Sequence, residues 1–415
     1  MAAIRRSPFV ERTMTTSAIV APPRLRTGEG VEEERHASWL ELFFDLVFVV
    51  AITQLGESLS HDVSWTGLMR FGGLFVPVCW AWMGYTFYAD RFDSDDVIHR
   101  VAMLAGMLAI AALAVNVGNV EAGSTTGFAL AYVGVRVIVI ALYLRARRAV
   151  REARELCTFY LMGFSLGTAL WVVSLGVSHP ARYWLWGIGL LIEVATPLLA
   201  RRLIERIPVH ASHIPERFGL FTMIVFGESV VAIAIGTATT NWELDSALTA
   251  CLGFVAVACL WWIYFDFVDR ESPLRHSVAR GQTYVYGHLP LLAALTSAGV
   301  GVKLAILAGA DPGLSDDARL TLAGGVAVLL LVMSVILAVC EPGFDRAVLA
   351  VRLLAAGAGL VLAIAGASLS PPVLTGLVAG ILLIDLIVEI GRRERRARAA
   401  LDTDESPWRS PLKSA

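Results

Sequence analysis

Residues 39–59 read WLELFFDLVFVVAITQLGESL, and this stretch decides the fold. Apolar side chains fill it almost end to end, with three acids, Glu41, Asp45 and Glu57, set among them. A helix of about 20 apolar residues, rising about 1.5 Å per residue, covers the roughly 30 Å of bilayer hydrocarbon. The stretch therefore reads as a membrane-crossing helix with carboxylates inside it. Eleven further runs of the same kind follow, near 67–89, 97–118, 127–144, 156–177, 183–200, 217–236, 246–268, 282–308, 319–340, 346–369 and 372–391. The expected architecture is an all-α polytopic membrane protein of about twelve transmembrane helices.

Composition leads to the same class. Residues of the AVILMFWYC set make up 56% of the 415, and charged residues 17%. An average soluble domain carries about 25% charged residues. So little polar surface excludes a soluble enzyme, a nucleic-acid binder and a disordered scaffold. A net charge of -2 exerts no pull toward an anionic partner. Cys79, Cys157, Cys251, Cys259 and Cys340 lie inside apolar runs with no CxxC spacing, which suits packing rather than disulfides or zinc. The chain shows no phosphate-loop lysine motif, no glycine turn of the dinucleotide type and no HExxH helix. No enzyme activity, cofactor or metal is expected. The expected partners are the lipid bilayer and a small ion or molecule, with no nucleic acid and the oligomeric state open.

Arginine placement orients the runs. Arg145, Arg147, Arg148, Arg151 and Arg154 share one connection, Arg201, Arg202, Arg206 and Arg217 another, and Arg270, Arg275 and Arg280 a third. Arg91, Arg346 and the 392–398 cluster fall on the same side, whereas the alternate connections hold only Arg182 and Arg319. The excess of Arg and Lys on cytoplasmic loops puts both termini in the cytoplasm of a cell membrane. Residues 1–38 and 392–415 are polar and read as disordered cytoplasmic tails. The first lacks the charged-then-apolar order of a signal peptide.

The two halves resemble each other. Trp82, Tyr85, Asp90 and Arg91 match Trp261, Tyr264, Asp269 and Arg270 at a constant offset of 179. Gly56-Glu57-Ser58 matches Gly227-Glu228-Ser229 at 171, an offset that also sets Asp45 against Glu216; a rival register of 175 sets Glu41 against Glu216. Glu193 precedes Arg201-Arg202 as Asp385 precedes Arg392-Arg393, and His99 matches His288 at 189. The matches predict two parallel six-helix repeats, 39–209 and 210–391. Parallel repeats build alternating-access transporters with sites between the halves, and they can also line a pore.

An ionisable residue deep in lipid is costly and often functional. Glu228, Glu193 and Asp385 lie about 16, 15 and 20 Å into their runs, near the expected midplane. Glu41 and Asp45 sit one turn apart near the start of the first run, and Glu57 lies toward its end. These six acids are the candidate ion, proton or substrate pathway. Arg136 and Arg352 are the deep bases. Six deeper acids (Asp45, Glu57, Glu193, Glu228, Asp266 and Asp385) thus face two arginines, leaving about four carboxylates unpartnered and suited to proton exchange. Asp90-Arg91, Asp269-Arg270 and Glu216-Arg217 read as ion-pairing groups at helix ends. Trp82, Tyr85, Trp261 and Tyr264 are expected in an interfacial aromatic belt. His210-x-x-His213 with Glu216 has a metal-like spacing, which Pro215 interrupts.

Two stretches carry a family resemblance: Trp39 to Gln54, WLELFFDLVFVVAITQ, and His213 to Ser229, HIPERFGLFTMIVFGES. Together they resemble the bacterial low-temperature-requirement protein A family, over roughly residues 36–395. The resemblance implies a polytopic inner-membrane protein, names no reaction, and carries over to Glu41, Phe44, Asp45, Glu216, Arg217, Gly227 and Glu228. Phe44-Asp45 with Ala51-Ile52-Thr53 is also similar to the first helix of the endolysosomal potassium channel family. The expected function is a cation- or proton-coupled secondary transporter using intramembrane carboxylates. The alternatives are a cation channel and a non-transporting membrane scaffold or sensor.

Overall fold

The computed structural model describes residues 21–25, 38–94, 96–121, 123–207, 213–240, 242–268, 277–341 and 343–404. Every apolar run carries a helix. They are α1 (Trp39–His61), α2 (Trp65–Arg91), α3 (Val97–Val115), α4 (Thr126–Ala149), α5 (Arg154–Ser174) and α6 (Ala181–Leu199). After these come α7 (His213–Ala238), α8 (Leu244–Val268), α9 (Val278–Ala308), α10 (Asp316–Cys340), α11 (Arg346–Ala365) and α12 (Pro371–Asp404). Among the described residues, ten helices are long and apolar enough to cross a membrane. The exceptions are α2 and α6, whose sequences are diluted by Trp, Tyr and Gly. Among the described residues the chain is an all-helical, multi-pass bundle apart from one pair of two-residue strands.

Polar caps start several helices where the apolar run begins. Ser38 caps α1: its hydroxyl accepts the Glu41 N–H at 3.3 Å, and the Glu41 carboxylate accepts the Ser38 N–H at 2.8 Å. That reciprocal pair also fixes where the Glu41 side chain can go. Ser64 caps α2, and Asp96 caps α3 by accepting the His99 N–H at 3.1 Å.

Within the first six helices, α1 packs on α2 and α3, α3 on α4, α4 on α5 and α5 on α6. Within the second six, α7 packs on α8 and α9, α9 on α10, α10 on α11 and α11 on α12. The two groups meet where α1 and α2 lie against α7 and α9. The most enclosed of the ten apolar helices is α9. Its row Ser297-Ala298-Gly299-Val300-Gly301 lets neighbours approach closely. A Cβ at Gly301 would stand 2.4 Å from the Leu322 Cα, inside the π-helical turn Leu320–Gly324 of α10.

Order extends into both expected tails. Within 1–38, Arg24–Leu25 (β1) pairs antiparallel with Phe92–Asp93 (β2). Asp96 accepts the Ala21 N–H at 3.2 Å and Arg145 at 2.6 Å, and Arg145 also donates to the Ala21 carbonyl at 2.5 Å. Burial pushes the Asp96 carboxyl up, but the His99 N–H and then Arg145 prevail and hold it below the usual range. At the other end α12 continues through Arg392 to Asp404, so that Arg393 and Arg396 reach Asp266 at 2.9 Å and Asp345 at 3.3 Å.

Candidate functional site

The two motif stretches meet face to face. Near the start of both helices, Arg217 of α7 donates to Asp45 of α1 at 2.6 Å and lies 3.4 Å from Glu41. Eight residues further along α1, Thr53 donates to Glu228 of α7 at 2.5 Å. Contacts in this order require α1 and α7 to run parallel, side by side.

Around Arg217 lies a buried network. His213 Nδ1 stands 2.9 Å from Asp90 of α2, and its Nε2 lies 3.8 Å from Glu41. The Trp82 indole N–H donates to Asp45 at 2.7 Å. Three carboxylates, an arginine and a histidine are thus removed from water together. An ion pair in such a place holds only because each charge meets opposite charge and oriented donors.

Beyond the network comes an aromatic layer. Trp82 stacks on Phe221 with ring centroids 4.4 Å apart and meets Phe218 edge-on at 4.9 Å; Phe48 closes on Phe221 at 6.0 Å. Past that layer, toward the other ends of α1, α7 and α9, a small recess opens. Both Gly-Glu-Ser motifs contribute to it: Gly56 and Glu57 from α1, Glu228 and Ser229 from α7, with Thr53, Thr296 and Lys303 completing its polar lining. Lys303 bonds Glu57 at 2.6 Å. Glu228 is half-buried and makes no ion pair among the described residues; its hydrogen bond comes from Thr53.

Glu193 and Asp385 do not share this recess. Glu193 of α6 stands 3.0 Å from Arg136 of α4, receives the Tyr132 hydroxyl at 2.6 Å, and has no exposed surface. The Phe164 ring lies 4.5 Å from the Arg136 guanidinium. Asp385 of α12 stands 3.4 Å from Arg352 of α11, which also bonds Glu389 one turn further on. These are two further sealed clusters, one in each half.

Sequence counting left about four acids unpartnered, and the pairing corrects that number. Asp45, Glu57, Glu193, Asp266 and Asp385 each meet a basic side chain: Arg217, Lys303, Arg136, Arg393 and Arg352 respectively. Arg217, Lys303 and Arg393 were left out of that count. Arg217 reads as a helix-end residue, but α7 begins four residues earlier at His213, and Arg217 is only 1% exposed. Arg393 reaches Asp266 because α12 does not stop at the end of its apolar run.

Three further expectations change. Trp82, Tyr85 and Tyr264 are buried in the core rather than placed in an interfacial belt; only Trp261 is exposed. Tyr264 joins a buried string, accepting from Thr222 at 2.9 Å and meeting His288 Nε2 at 3.0 Å. Asp90 pairs with His213 across the halves, while Arg91 faces a separate recess. Asp269, Arg270 and His210 lie outside the described residues, and Glu216 is half-buried at the start of α7. Sequence reading missed Thr53, Glu389 and the role of His213. Glu389 sits four residues after Asp385 on one helix face, and that spacing was a usable signal.

Helices of this length and apolarity, joined at their core by buried ion pairs, define a polytopic helical membrane protein. The model of the bacterial low temperature requirement A protein (LtrA) family matches residues 36–384, and the chain belongs to that family. A relative from Rhizobium meliloti (strain 1021), described as an uncharacterized protein, is 28% identical over 302 residues. That match spans 66% of this chain and 73% of the relative.

Proposed function

We propose that the chain is a cation- or proton-coupled secondary transporter of the cytoplasmic membrane, with Glu228 as the exchanging carboxylate. One observation carries the reading. Of the six deeper acids, Glu228 alone forms no ion pair among the described residues; it borders a recess between the two halves in which Lys303, bonded to Glu57, acts on it only through space. A carboxylate without a fixed counter-charge in a low-dielectric site takes up a proton or a cation readily. Glu57 and Lys303 at the rim hold a compensating pair that an entering cation can disturb.

The remaining parts fit a gated path. Twelve helices cross the membrane as two parallel six-helix repeats, with both termini cytoplasmic. Matching neighbour pairs in the two halves support the repeat: α1·α3 with α7·α9, α3·α4 with α9·α10, and α4·α5 with α10·α11. The recess is then open on the outer side. The aromatic layer of Trp82, Phe218, Phe221 and Phe48 closes it below, and the Arg217 network is the cytoplasmic gate. Alternating access moves one repeat against the other around such a layer. Glu193 and Asp385, each held by a guanidinium, become fixed structural charges rather than carriers.

Those two closed pairs also favour a second reading, a non-transporting scaffold or sensor, for which paired interior charges suffice. Proteoliposomes separate the readings. Under an imposed sodium or potassium gradient, a lumenal pH dye reports exchange for a transporter. A channel conducts without coupling to a second ion, and a scaffold gives no signal under any gradient. Absence of both exchange and conductance overturns the transport reading.

A further inference from the structure

A second recess, partly open, lies between α2, α5 and α9. Its walls are apolar and aromatic: Trp80, Met83 and Phe87 of α2, Phe164 of α5, Val285 and Tyr286 of α9. One charged side chain, Arg91, stands among the described residues that line it. Arg91 is 3% exposed, and its Nε and Nη1 find no hydrogen-bond partner among the described residues. Its chain neighbour Asp90 is engaged by His213 at 2.9 Å. Tyr160 offers the guanidinium its ring, at 5.9 Å, and its hydroxyl, but no negative charge. A buried guanidinium with idle donors is costly unless an anion meets it. Gln282 also lines the recess, held by Arg201 at 2.5 Å and by donating to the Pro197 carbonyl at 2.9 Å. Arg201 thereby brings a second positive charge to the edge.

We propose that this recess binds an anionic membrane lipid, with the headgroup phosphate on Arg91 and an acyl chain along the apolar walls. The planar fork of an arginine matches phosphate oxygens with parallel charge-assisted bonds. A soluble phosphate satisfies Arg91 but leaves the aromatic walls without a partner, whereas a lipid satisfies both. Basic pockets between membrane helices commonly seat lipid headgroups. The site is independent of the transport reading: it uses neither Glu228 nor its recess.

The test is native mass spectrometry of the delipidated full chain in detergent, titrated with phosphatidylglycerol, phosphatidylcholine and inorganic phosphate. The expected result is one phosphatidylglycerol per chain, held about tenfold more tightly than phosphatidylcholine and not displaced by inorganic phosphate. Arg91→Gln should erase that preference. Val285→Trp, which fills the recess and leaves Arg91 in place, should remove the bound lipid, and it keeps the test decisive where Arg91→Gln fails to fold. Equal binding of the two lipids, or retention of the preference in Arg91→Gln or Val285→Trp, overturns the proposal. Displacement of the lipid by inorganic phosphate also overturns it, in favour of a free-anion site.

Discussion

Arg217 of α7 stands 2.6 Å from Asp45 of α1, and neither side chain is more than 2% exposed. This contact joins the two family motifs across the boundary between the halves. It also orders the proposed path, because the ion-paired network occupies one end of α1 and α7 and the Glu228 recess lies toward the other.

Breaking that pair from one side should be severe. Arg217→Leu leaves Asp45 and Glu41 buried without their cation, and removing one partner of a buried pair costs about 3–5 kcal/mol. Thermal unfolding in detergent should show a large loss of Tm. The double variant Arg217→Leu/Asp45→Leu should recover part of that loss, and a double variant no more stable than the single would contradict a direct pairing.

Glu193→Gln should lower stability by a comparable amount, since Arg136 then loses its counter-charge in a sealed cluster. Ion movement per folded molecule should stay near wild type. Measuring Tm and flux on the same preparation separates the two effects. Loss of flux at unchanged Tm would return Glu193 to the pathway.

Gly301→Leu should destabilise by about 1–3 kcal/mol through overpacking. The α9 backbone lies too close to Leu322 for a Cβ, and the π-helical turn of α10 cannot move away without disturbing its own packing. Gly72→Ala, where nothing lies near the added carbon, is the control and should not lower Tm, since Ala favours a helix interior over Gly.

Asp96 supplies a pH test. Its folded pKa is depressed, so its contribution is full above the unfolded value of about 3.9 and is lost as pH falls through the folded value. Asp96→Asn keeps a competent helix cap but loses the charge that holds Arg145. The Tm gap between wild type and Asp96→Asn should therefore be present at pH 7 and shrink as pH drops below about 4. A gap independent of pH would mean that the Arg145 contact contributes nothing.

Helix position was legible because a membrane-crossing helix is a local object, although only ten of the helices are long and apolar enough to cross among the described residues. Its length and apolarity are written in one run, and the Ser38, Ser64 and Asp96 caps stand at the edges. Charge pairing is not local. Arg217 looked superficial until the first turn of α7 packed under α1 and α2, and Lys303 and Glu57 come from helices far apart in the chain. The Thr53–Glu228 contact had no sequence signature, because a threonine in an apolar helix usually bonds its own backbone. Burial of Trp82 and Tyr85 likewise reflects the position of α2 against both halves rather than any pattern within α2.

The central claim rests on Glu228, and the most direct measurement is gradient-driven proton or cation movement in proteoliposomes carrying wild type or Glu228→Gln. Glutamine keeps the shape and can still accept from Thr53, but it holds no exchangeable charge. The account predicts that wild type couples the gradient to lumenal pH and that Glu228→Gln, at equal Tm and reconstitution, abolishes the coupling. Equal rates in the two proteins would contradict it.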